Sequence, residues 1–210
     1  MKRLAILGAS GHGKVVADIA ECCGWEEIVF FDDAFPQKST LEDWSIVGDT
    51  QDFLSSMVEF DGCIVAIGNN VTRLDKTRFF LSSGAPIISL IHPTAIVSKY
   101  SSIELGSVVM ANAVINSFSK IGLACIVNTS ATIDHDCELV DAVHVSPGVN
   151  LAGAVKVNEC TWIGIGASIN QCLSIGKNVM IGAGSVVIND IPDNVLAVGI
   201  PSQVIKGYKC

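Results

Sequence analysis

Hydrophobic residues recur at a fixed spacing through the second half of the chain. Every sixth residue from Ile91 to Val187 is Ile, Val or Leu, without a gap or an insertion. Ala, Ser or Cys mostly stands two residues earlier, and Gly, Asn, Asp or Ser mostly stands directly after each aliphatic residue. Because these last four residue types favour tight turns, and Gly, Asn and Asp tolerate a positive φ, we place the corners of the fold directly after the aliphatic positions.

A period of six excludes the commoner explanations of hydrophobic periodicity. An amphipathic helix repeats every 3.6 residues, and a half-buried strand repeats every second residue. Three short strands in each coil of about 18 residues account for the spacing, with the aliphatic side chains stacked inside. The pattern therefore predicts a parallel β-solenoid over residues 91–190. A solenoid that serves only as a scaffold or binding rod is the alternative to an enzyme.

The first 90 residues show short apolar runs that alternate with helical patterns. Strands are expected at 4–7, 28–31, 46–47 and 63–67, and helices at 14–23, 49–57 and 70–83. A loop is expected at 34–45. This alternation predicts an α/β domain, Rossmann-like and with a small parallel sheet, over residues 1–90. Residues 191–210 leave the period at Pro192 and are predicted to cap the open end of the solenoid.

Charge and composition narrow the classes of partner. The net charge of −8 argues against nucleic acid or an anionic membrane. No apolar run reaches the roughly 20 residues that a membrane span needs, and the apolar start of the chain ends at Gly8, too early for a signal peptide. We therefore expect a cytoplasmic protein without a membrane span. The eight cysteines include no CxxC pair, which favours reduced thiols and predicts no metal site.

A glycine-rich loop with the sequence GASGHGK occupies residues 8–14, directly after the first predicted strand. At the start of a helix, backbone N–H groups and the helix dipole favour an anion such as a phosphate. The spacing approaches that of a P-loop, but Val15 stands where the magnesium-binding Ser or Thr would be. The alternative is a turn that only lets the helix pack on the strand. We expect Ser10, Gly11 and His12 to hold a nucleotide or a sugar phosphate.

Two further polar sites end predicted strands. Asp32 and Asp33 follow the second strand, and Gly68 follows the next long strand. The carboxyl ends of parallel strands lie at one edge of the sheet, and ligands of open α/β sheets bind there. Asp32, Asp33 and Gly68 are therefore expected to join the glycine-rich loop in binding a nucleotide-linked substrate. Arg73 is a further candidate contact, with a solvated helix residue as the alternative.

His135 is the main catalytic candidate in the repeat. It lies two residues after the aliphatic Ile133, which predicts a corner position, and Asp134 and Asp136 flank it. A carboxylate beside an imidazole stabilises the imidazolium and fixes the ring tautomer, so the other ring nitrogen can take a proton. The pattern favours a general base, with an ordinary polar corner residue as the alternative. It leaves open which of the two carboxylates supports the ring.

Taken together, the motifs along the chain resemble those of a known family. GASGHGK, FDD, AIGNN and LIHP precede the repeat, and VGIPSQVIK follows it. Together they resemble the hexapeptide-repeat sugar O- and N-acetyltransferases of bacterial surface-glycan synthesis, over essentially the whole chain. The resemblance implies a left-handed parallel β-helix, with acetyl-CoA as co-substrate and no metal. It also implies that His135 is the general base and that Asp136 raises its basicity.

The site of such an enzyme is expected to lie between subunits. His144 follows His135 by half a coil, so the two cannot stack on successive coils of one chain. By resemblance, the protein is a homotrimer in which His144 contacts the acetyl-CoA thioester region, and Ile165 and Ala183 line the pantetheine path. A surface or interface histidine is the alternative for His144. Backbone N–H groups should stabilise the oxyanion, and Gly153 is the candidate donor.

Three functions are compatible with these features. The favoured one is acetyl-CoA-dependent N-acetylation of a nucleotide-linked 4-amino-4,6-dideoxy sugar, with UDP as the expected nucleotide. The alternative enzyme is a sugar O-acetyltransferase of the sialic-acid type. The third is a nucleotide-binding scaffold without catalysis. A thioester is already activated, so direct transfer to the acceptor needs neither a metal nor an acyl-enzyme.

Overall fold

The computed structural model describes residues 2–208, and the chain divides into two compact units between Pro93 and Thr94. Met1, Lys209 and Cys210, which fall in the predicted domain ranges, lie outside the described residues. Each unit has its own hydrophobic core.

The first unit is a five-stranded sheet with three α-helices. Its elements are β1 (Arg3–Leu7), α1 (Gly11–Cys22), β2 (Glu27–Phe31), β3 (Thr40–Leu41), β4 (Trp44–Gly48), α2 (Thr50–Ser56), the 3-10 helix Met57–Glu59, β5 (Gly62–Val65), α3 (Asn70–Ser82) and the short strand Leu90–Ile91. The strand order is β3-β4-β2-β1-β5, with β4, β2, β1 and β5 parallel. The predicted parallel α/β sheet is confirmed.

The predicted loop at 34–45 is wrong in its second half. It contains β3 and the start of β4, which pair antiparallel as a hairpin. Glu42 turns the chain between them with a φ of 53°. A two-residue strand carries too little periodicity to be recognised in a sequence.

Helices α2 and α3 begin at side-chain caps and meet through aromatic rings. The Asp49 carboxylate accepts N–H groups of the first turn of α2, and the Asn69 side chain accepts the Thr72 N–H at the start of α3. The rings of Phe53 in α2 and Phe80 in α3 pack edge to face with their centroids 4.6 Å apart, and both side chains are fully buried. This contact packs the two helices against each other.

The second unit is a parallel β-helix built from three sheets of two-residue strands. The first sheet contains Ile96–Val97, Val114–Ile115, Thr132–Ile133, Asn150–Leu151, Ser168–Ile169 and Val186–Val187. The second contains Ser102–Ile103, Lys120–Ile121, Glu138–Leu139, Lys156–Val157 and Ser174–Ile175. The third contains Val108–Val109, Ile126–Val127, His144–Val145, Trp162–Ile163 and Met180–Ile181. Paired residues on successive coils are 18 apart, as between Val114 and Thr132.

The predicted aliphatic stack forms the core of the β-helix. From Val109 to Val187 the sixth-residue positions are buried, and the small residues two places earlier pack beside them. Ile91, the first position of the series, is 39% exposed and does not join this core. The period therefore marks the interior correctly except at its first member.

The corners lie three residues after each aliphatic position, so the predicted corner directly after it is wrong. Asn112, three residues after Val109, has a φ of 57°, and Ser130 has a φ of 56°. The residue directly after an aliphatic is small for another reason. A Cβ on Gly164 would lie 2.6 Å from the carbonyl oxygen of Ile181 on the next coil. The close approach of neighbouring coils therefore requires a small residue directly after the aliphatic position. At the corner, the positive φ is what favours small residues, Asn and Asp.

The C-terminal segment extends the third sheet. Val195–Gly199 pairs in parallel with Met180–Ile181, and Ser202–Gly207 turns back and pairs antiparallel with Val195–Gly199.

The seven cysteines between residues 2 and 208 are free thiols. Over the same part of the chain, no helix has the length and the apolar character that crossing a membrane requires.

Candidate active site

His135 and Asp136 form a hydrogen-bonded pair at a corner of the β-helix. The distance from His135 Nδ1 to Asp136 Oδ2 is 2.8 Å, and both side chains are 58% exposed. The hydrogen bond to Asp136 and the negative charge of Asp134 raise the pKa of His135 above its ordinary value. With Nδ1 bound to the carboxylate, Nε2 is the ring nitrogen that can accept a proton.

Asp134 has a different role from Asp136. Its Oδ1 accepts the backbone N–H of His135 at 2.8 Å and the side-chain amide of Asn116 at 3.0 Å. These hydrogen bonds lower the pKa of Asp134 and keep it ionised. Of the two carboxylates that the sequence left open, Asp136 contacts the imidazole and Asp134 fixes the backbone in front of it.

Gly153 lies on the next coil, directly beside the His135 ring. A Cβ at position 153 would lie 2.6 Å from His135 Nε2 and 2.7 Å from Cε1, so only glycine leaves room for the ring. Within residues 2–208, no acceptor takes the Gly153 N–H. This donor therefore lies next to the nitrogen that would take the proton, as the candidate oxyanion role requires.

His144 is a buried residue on the outer side of the third sheet. Its side chain is only 8% exposed and contacts the Trp162 ring at a centroid distance of 4.5 Å. His144 Nε2 lies 3.2 Å from the Asn128 amide nitrogen. His135 follows a strand of the first sheet, whereas His144 begins a strand of the third sheet, in agreement with their half-coil separation.

The first unit carries a cavity of about 230 Å³ at the carboxyl ends of β1, β2 and β5. It is lined by Leu7, Gly8, Ser10, Asp32, Asp33, Thr50, Ile67, Gly68 and Lys76. Four of the six predicted nucleotide-site residues therefore come together, and Gly11 and His12 follow Ser10 at the start of α1. Among residues 2–208, no side chain caps α1, which leaves the first N–H groups of this helix available to an anion.

The glycine-rich loop is held close to the sheet. Gly8 has a φ of 109°, and a Cβ there would lie 2.9 Å from the Ala66 carbonyl oxygen. Asp32 fixes the other side, because its Oδ2 accepts the Ala9 N–H at 2.7 Å and its Oδ1 accepts the Ala34 N–H. Asp32 lines the cavity, but both of its oxygens already hold backbone groups.

Asp33, Thr50 and Lys76 line the cavity and are joined by hydrogen bonds. Asp33 Oδ1 accepts the Thr50 N–H at 3.0 Å, and hydrogen bonds from Thr50 lower the pKa of Asp33. Lys76 Nζ donates to Thr50 Oγ1 at 3.3 Å. Sequence reasoning missed Thr50 and Lys76, because they come from α2 and α3 and carry no motif. Only the packing of those helices brings them to the cavity.

His12 and Arg73 lie behind the loop. Burial and the Arg73 charge lower the pKa of His12 to about 4, so its imidazole is neutral near pH 7. Arg73 is 1% exposed and donates to the carbonyl oxygens of Ile67 and Gly68. Both interpretations of Arg73, as a substrate contact or as a solvated helix residue, are wrong, because it is buried and braces the loop after β5.

Comparison with solved structures gives matches over nearly the full chain, including two sugar-acetyltransferase structures. The acetyltransferase domain of PglB from Neisseria gonorrhoeae FA1090, in complex with acetyl coenzyme A, is 41% identical. The match covers 97% of this chain and 99% of that one, with a TM-score of 0.93. PerB from Caulobacter crescentus, in complex with CoA and GDP-perosamine, is 35% identical over 98% of both chains, also with a TM-score of 0.93.

The chain belongs to the hexapeptide-repeat sugar acetyltransferases. The family description PglD N-terminal domain matches residues 3–78. These matches confirm the predicted fold class, a Rossmann-like α/β domain followed by a left-handed parallel β-helix. They also confirm acetyl-CoA as the co-substrate of this acetyltransferase.

Curated relatives match over different lengths. GDP-perosamine N-acetyltransferase of Escherichia coli O157:H7 is 28% identical over 88% of this chain and 85% of its own length. Galactoside O-acetyltransferase of Lactococcus lactis is 46% identical, but over only 31% of its length. This chain spans about a third of the length of the curated acetyltransferases that it matches in short segments.

The predicted acetyl-CoA contacts occupy one edge of the acetyltransferase β-helix. Ile165 is 57% exposed, and Ala183 lies one coil further along the same edge, also exposed. The two coils are joined there by a hydrogen bond from the Gly184 N–H to the Ile165 carbonyl. An exposed isoleucine followed by an alanine gives an apolar strip that starts beyond the coil of His135.

Proposed function

We propose that this acetyltransferase transfers the acetyl group of acetyl-CoA to the 4-amino group of a nucleotide-linked 4-amino-4,6-dideoxy sugar of the perosamine type. The observation that carries the proposal is the His135–Asp136 pair, in which Nε2 is the free ring nitrogen and lies against Gly153 on the next coil. Support for an amino-sugar nucleotide comes from the GDP-perosamine bound to PerB and from the polar cavity of the first unit, which lies at the carboxyl ends of its parallel strands.

The reaction follows from the chemistry of the pair. A sugar ammonium must lose a proton before its nitrogen can attack the thioester carbonyl, and His135 Nε2 takes that proton. The nitrogen then forms a bond to the carbonyl carbon, and the Gly153 N–H stabilises the resulting oxyanion. Collapse breaks the carbon–sulfur bond, and CoA leaves as the thiol. The proton held by His135 neutralises the leaving thiolate. The regenerated imidazole then takes the second proton, which the nitrogen loses as it becomes an amide, and releases it to solvent.

The nucleotide is held by the cavity of the first unit. The α1 start and Ser10 bind the diphosphate, because unpaired N–H groups and the helix dipole favour an anion there. Asp33 and Lys76 also line the cavity, and we assign them to the nucleoside. UDP is the expected nucleotide, but PerB binds a GDP sugar, so the acceptors to be tested include sugars linked to either nucleotide.

The donor lies along the apolar strip of Ile165 and Ala183, in a groove completed by a second copy of the chain. His144 is buried within one chain and therefore supports this groove through Asn128 and Trp162. Three copies arranged around one axis give three equivalent grooves, so the working form is a homotrimer.

Turnover with a panel of acceptors tests the proposed function. CoA release is measured with acetyl-CoA and GDP-, UDP- or dTDP-linked 4-amino-4,6-dideoxy sugars, with the matching 4-hydroxy sugar nucleotides and free sialic acid as controls. We expect turnover only with amino-sugar nucleotides. Turnover confined to the hydroxyl acceptors would replace the proposal by O-acetylation.

The pH dependence of kcat/KM tests the general base. His135 must be neutral to act, so kcat/KM should fall as the pH drops below the pKa of His135, which the hydrogen bond to Asp136 raises above its ordinary value. Asp136→Asn removes the carboxylate that stabilises the imidazolium, so the acid limb should move to lower pH while the plateau falls. Asp134→Asn is the matched control and should move the limb less. An unchanged limb in Asp136→Asn would exclude His135 as the titrating base.

A further inference from the structure

Phe118 is an exception among the corner residues of the β-helix. Its φ is 64°, in the left-handed region that penalises bulky side chains. The other non-glycine corners with positive φ carry small residues or Asn and Asp: Asn112, Ala124, Ser130, Asp136, Ala142, Ala154, Cys160, Cys172 and Asn178. Among the described corners, only this one combines the strained conformation with an aromatic ring. Strain that persists at one position points to a role for its side chain.

The ring is exposed and held in place by a second aromatic residue. Phe118 is 60% exposed and Tyr100, at the same corner one coil earlier, is 57% exposed. Their rings stack with centroids 5.4 Å apart and planes inclined by 23°. Lys99 lies over the Tyr100 ring at 4.9 Å and fixes its outer face. Phe118 and Tyr100 together form an exposed aromatic surface, here called the ledge, which no other described part of the second unit covers.

The ledge adjoins the catalytic pair. Phe118 occupies the same corner as Asp136, one coil earlier, and the Asp136 N–H bonds the carbonyl oxygen of the neighbouring Ser117 at 3.1 Å. A cavity of about 370 Å³ connects the two positions, lined by Phe118, Lys120, Asp136, Cys137 and Glu138. An aromatic wall with charged groups opposite is the lining that sugars prefer, since a pyranose has an apolar C–H face and a polar rim.

We propose that Phe118, supported by Tyr100, is the platform on which the acceptor sugar lies during transfer, and that it selects for a deoxy sugar. The inference rests on the proposed function. Phe118 and Gly153 lie at the same corner of the β-helix as His135, one coil before it and one coil after it. The acceptor platform and the candidate oxyanion donor therefore flank the imidazole from opposite coils. A 6-deoxy sugar carries a methyl group in place of the C6 hydroxymethyl group, and burying that methyl on an aromatic ring is favourable. A C6 hydroxyl on the same ring would lose its water without a partner.

The test uses a substitution that relieves strain while it removes the ring. In the full-length protein, Phe118→Asn places a residue that tolerates positive φ at the corner, so its thermal unfolding temperature should not fall. We expect KM for the amino-sugar nucleotide to rise about tenfold, with KM for acetyl-CoA unchanged. Phe118→Tyr keeps the ring and should restore the KM of the unmodified protein. Cys172→Asn, at the same corner on the far side of Asp136, is the matched control and should leave the sugar KM unchanged.

Each outcome decides the inference. An unchanged sugar KM in Phe118→Asn would overturn it, although the amino-sugar turnover itself would stand. A rise in both KM values together with loss of the oligomer, measured by light scattering, would overturn it too and assign the ring to a contact between copies. Absence of turnover by the unmodified protein with every amino-sugar nucleotide would reject the proposed function before any variant is compared. A 6-deoxy preference that disappears in Phe118→Asn would support the selection step directly.

Discussion

His135→Ala is expected to lower kcat/KM for the amino-sugar nucleotide by about 10²–10⁴-fold, the usual contribution of a positioned general base. The remaining rate reflects binding and the oxyanion donor, which the substitution leaves in place. Because the His135 side chain is 58% exposed, removing it opens no core cavity, and the unfolding temperature should stay within a few degrees of its original value.

The expected loss is specific to catalysis. KM for acetyl-CoA should change little, because His135 acts on the acceptor nitrogen. Gln171 occupies the same corner two coils further on and is exposed, so Gln171→Ala controls for the loss of a polar corner side chain. Undiminished acetyl transfer by His135→Ala would remove His135 as the general base and require another proton acceptor.

Gly153→Ala is expected to cost about 10²-fold in kcat, the loss that follows from a displacement of about 1 Å at a catalytic group. The added Cβ would lie 2.6 Å from His135 Nε2. The imidazole is the end of a flexible, exposed side chain, so it rotates away and the coil stays folded. Its basic nitrogen then no longer faces the acceptor, and the added methyl group covers the N–H of residue 153.

A double-mutant cycle identifies the cause of this loss. If the methyl group added at position 153 acts through the histidine, Gly153→Ala should add little to His135→Ala, because the displaced group is already gone. Ala154→Gly changes the same corner without entering the space of the ring and should keep kcat. Full additivity of Gly153→Ala and His135→Ala would show that Gly153 acts independently of the imidazole.

The repeat made the second unit predictable from the sequence. A period of six fixes which side chains point inward, and the structure confirms the buried stack from Val109 to Val187. The positions of the corners were harder to predict. Small residues tend to occupy both the position directly after each aliphatic residue and the position three residues after it. Only the φ values separate the corner, as at Asn112, from the close contact of coils, as at Gly164.

The candidate site was predictable in part. The glycine-rich loop, Asp33 and Gly68 are recognisable, since the carboxyl ends of parallel strands meet at one edge. Thr50 and Lys76 come from helices whose packing depends on the Phe53–Phe80 contact, which no local pattern records. The choice between Asp134 and Asp136 needed side-chain geometry, and the burial of Arg73 contradicted the usual exposure of charged residues.

The position of the acetyl group in the product is the measurement that tests the central claim most directly. The unmodified protein is incubated with acetyl-CoA and the amino-sugar nucleotide that turns over fastest, and the product is examined by mass spectrometry and NMR. The account predicts one added acetyl group, joined to N4 as an amide and stable to mild alkali. An alkali-labile ester on a sugar hydroxyl, with the amine unmodified, would contradict it.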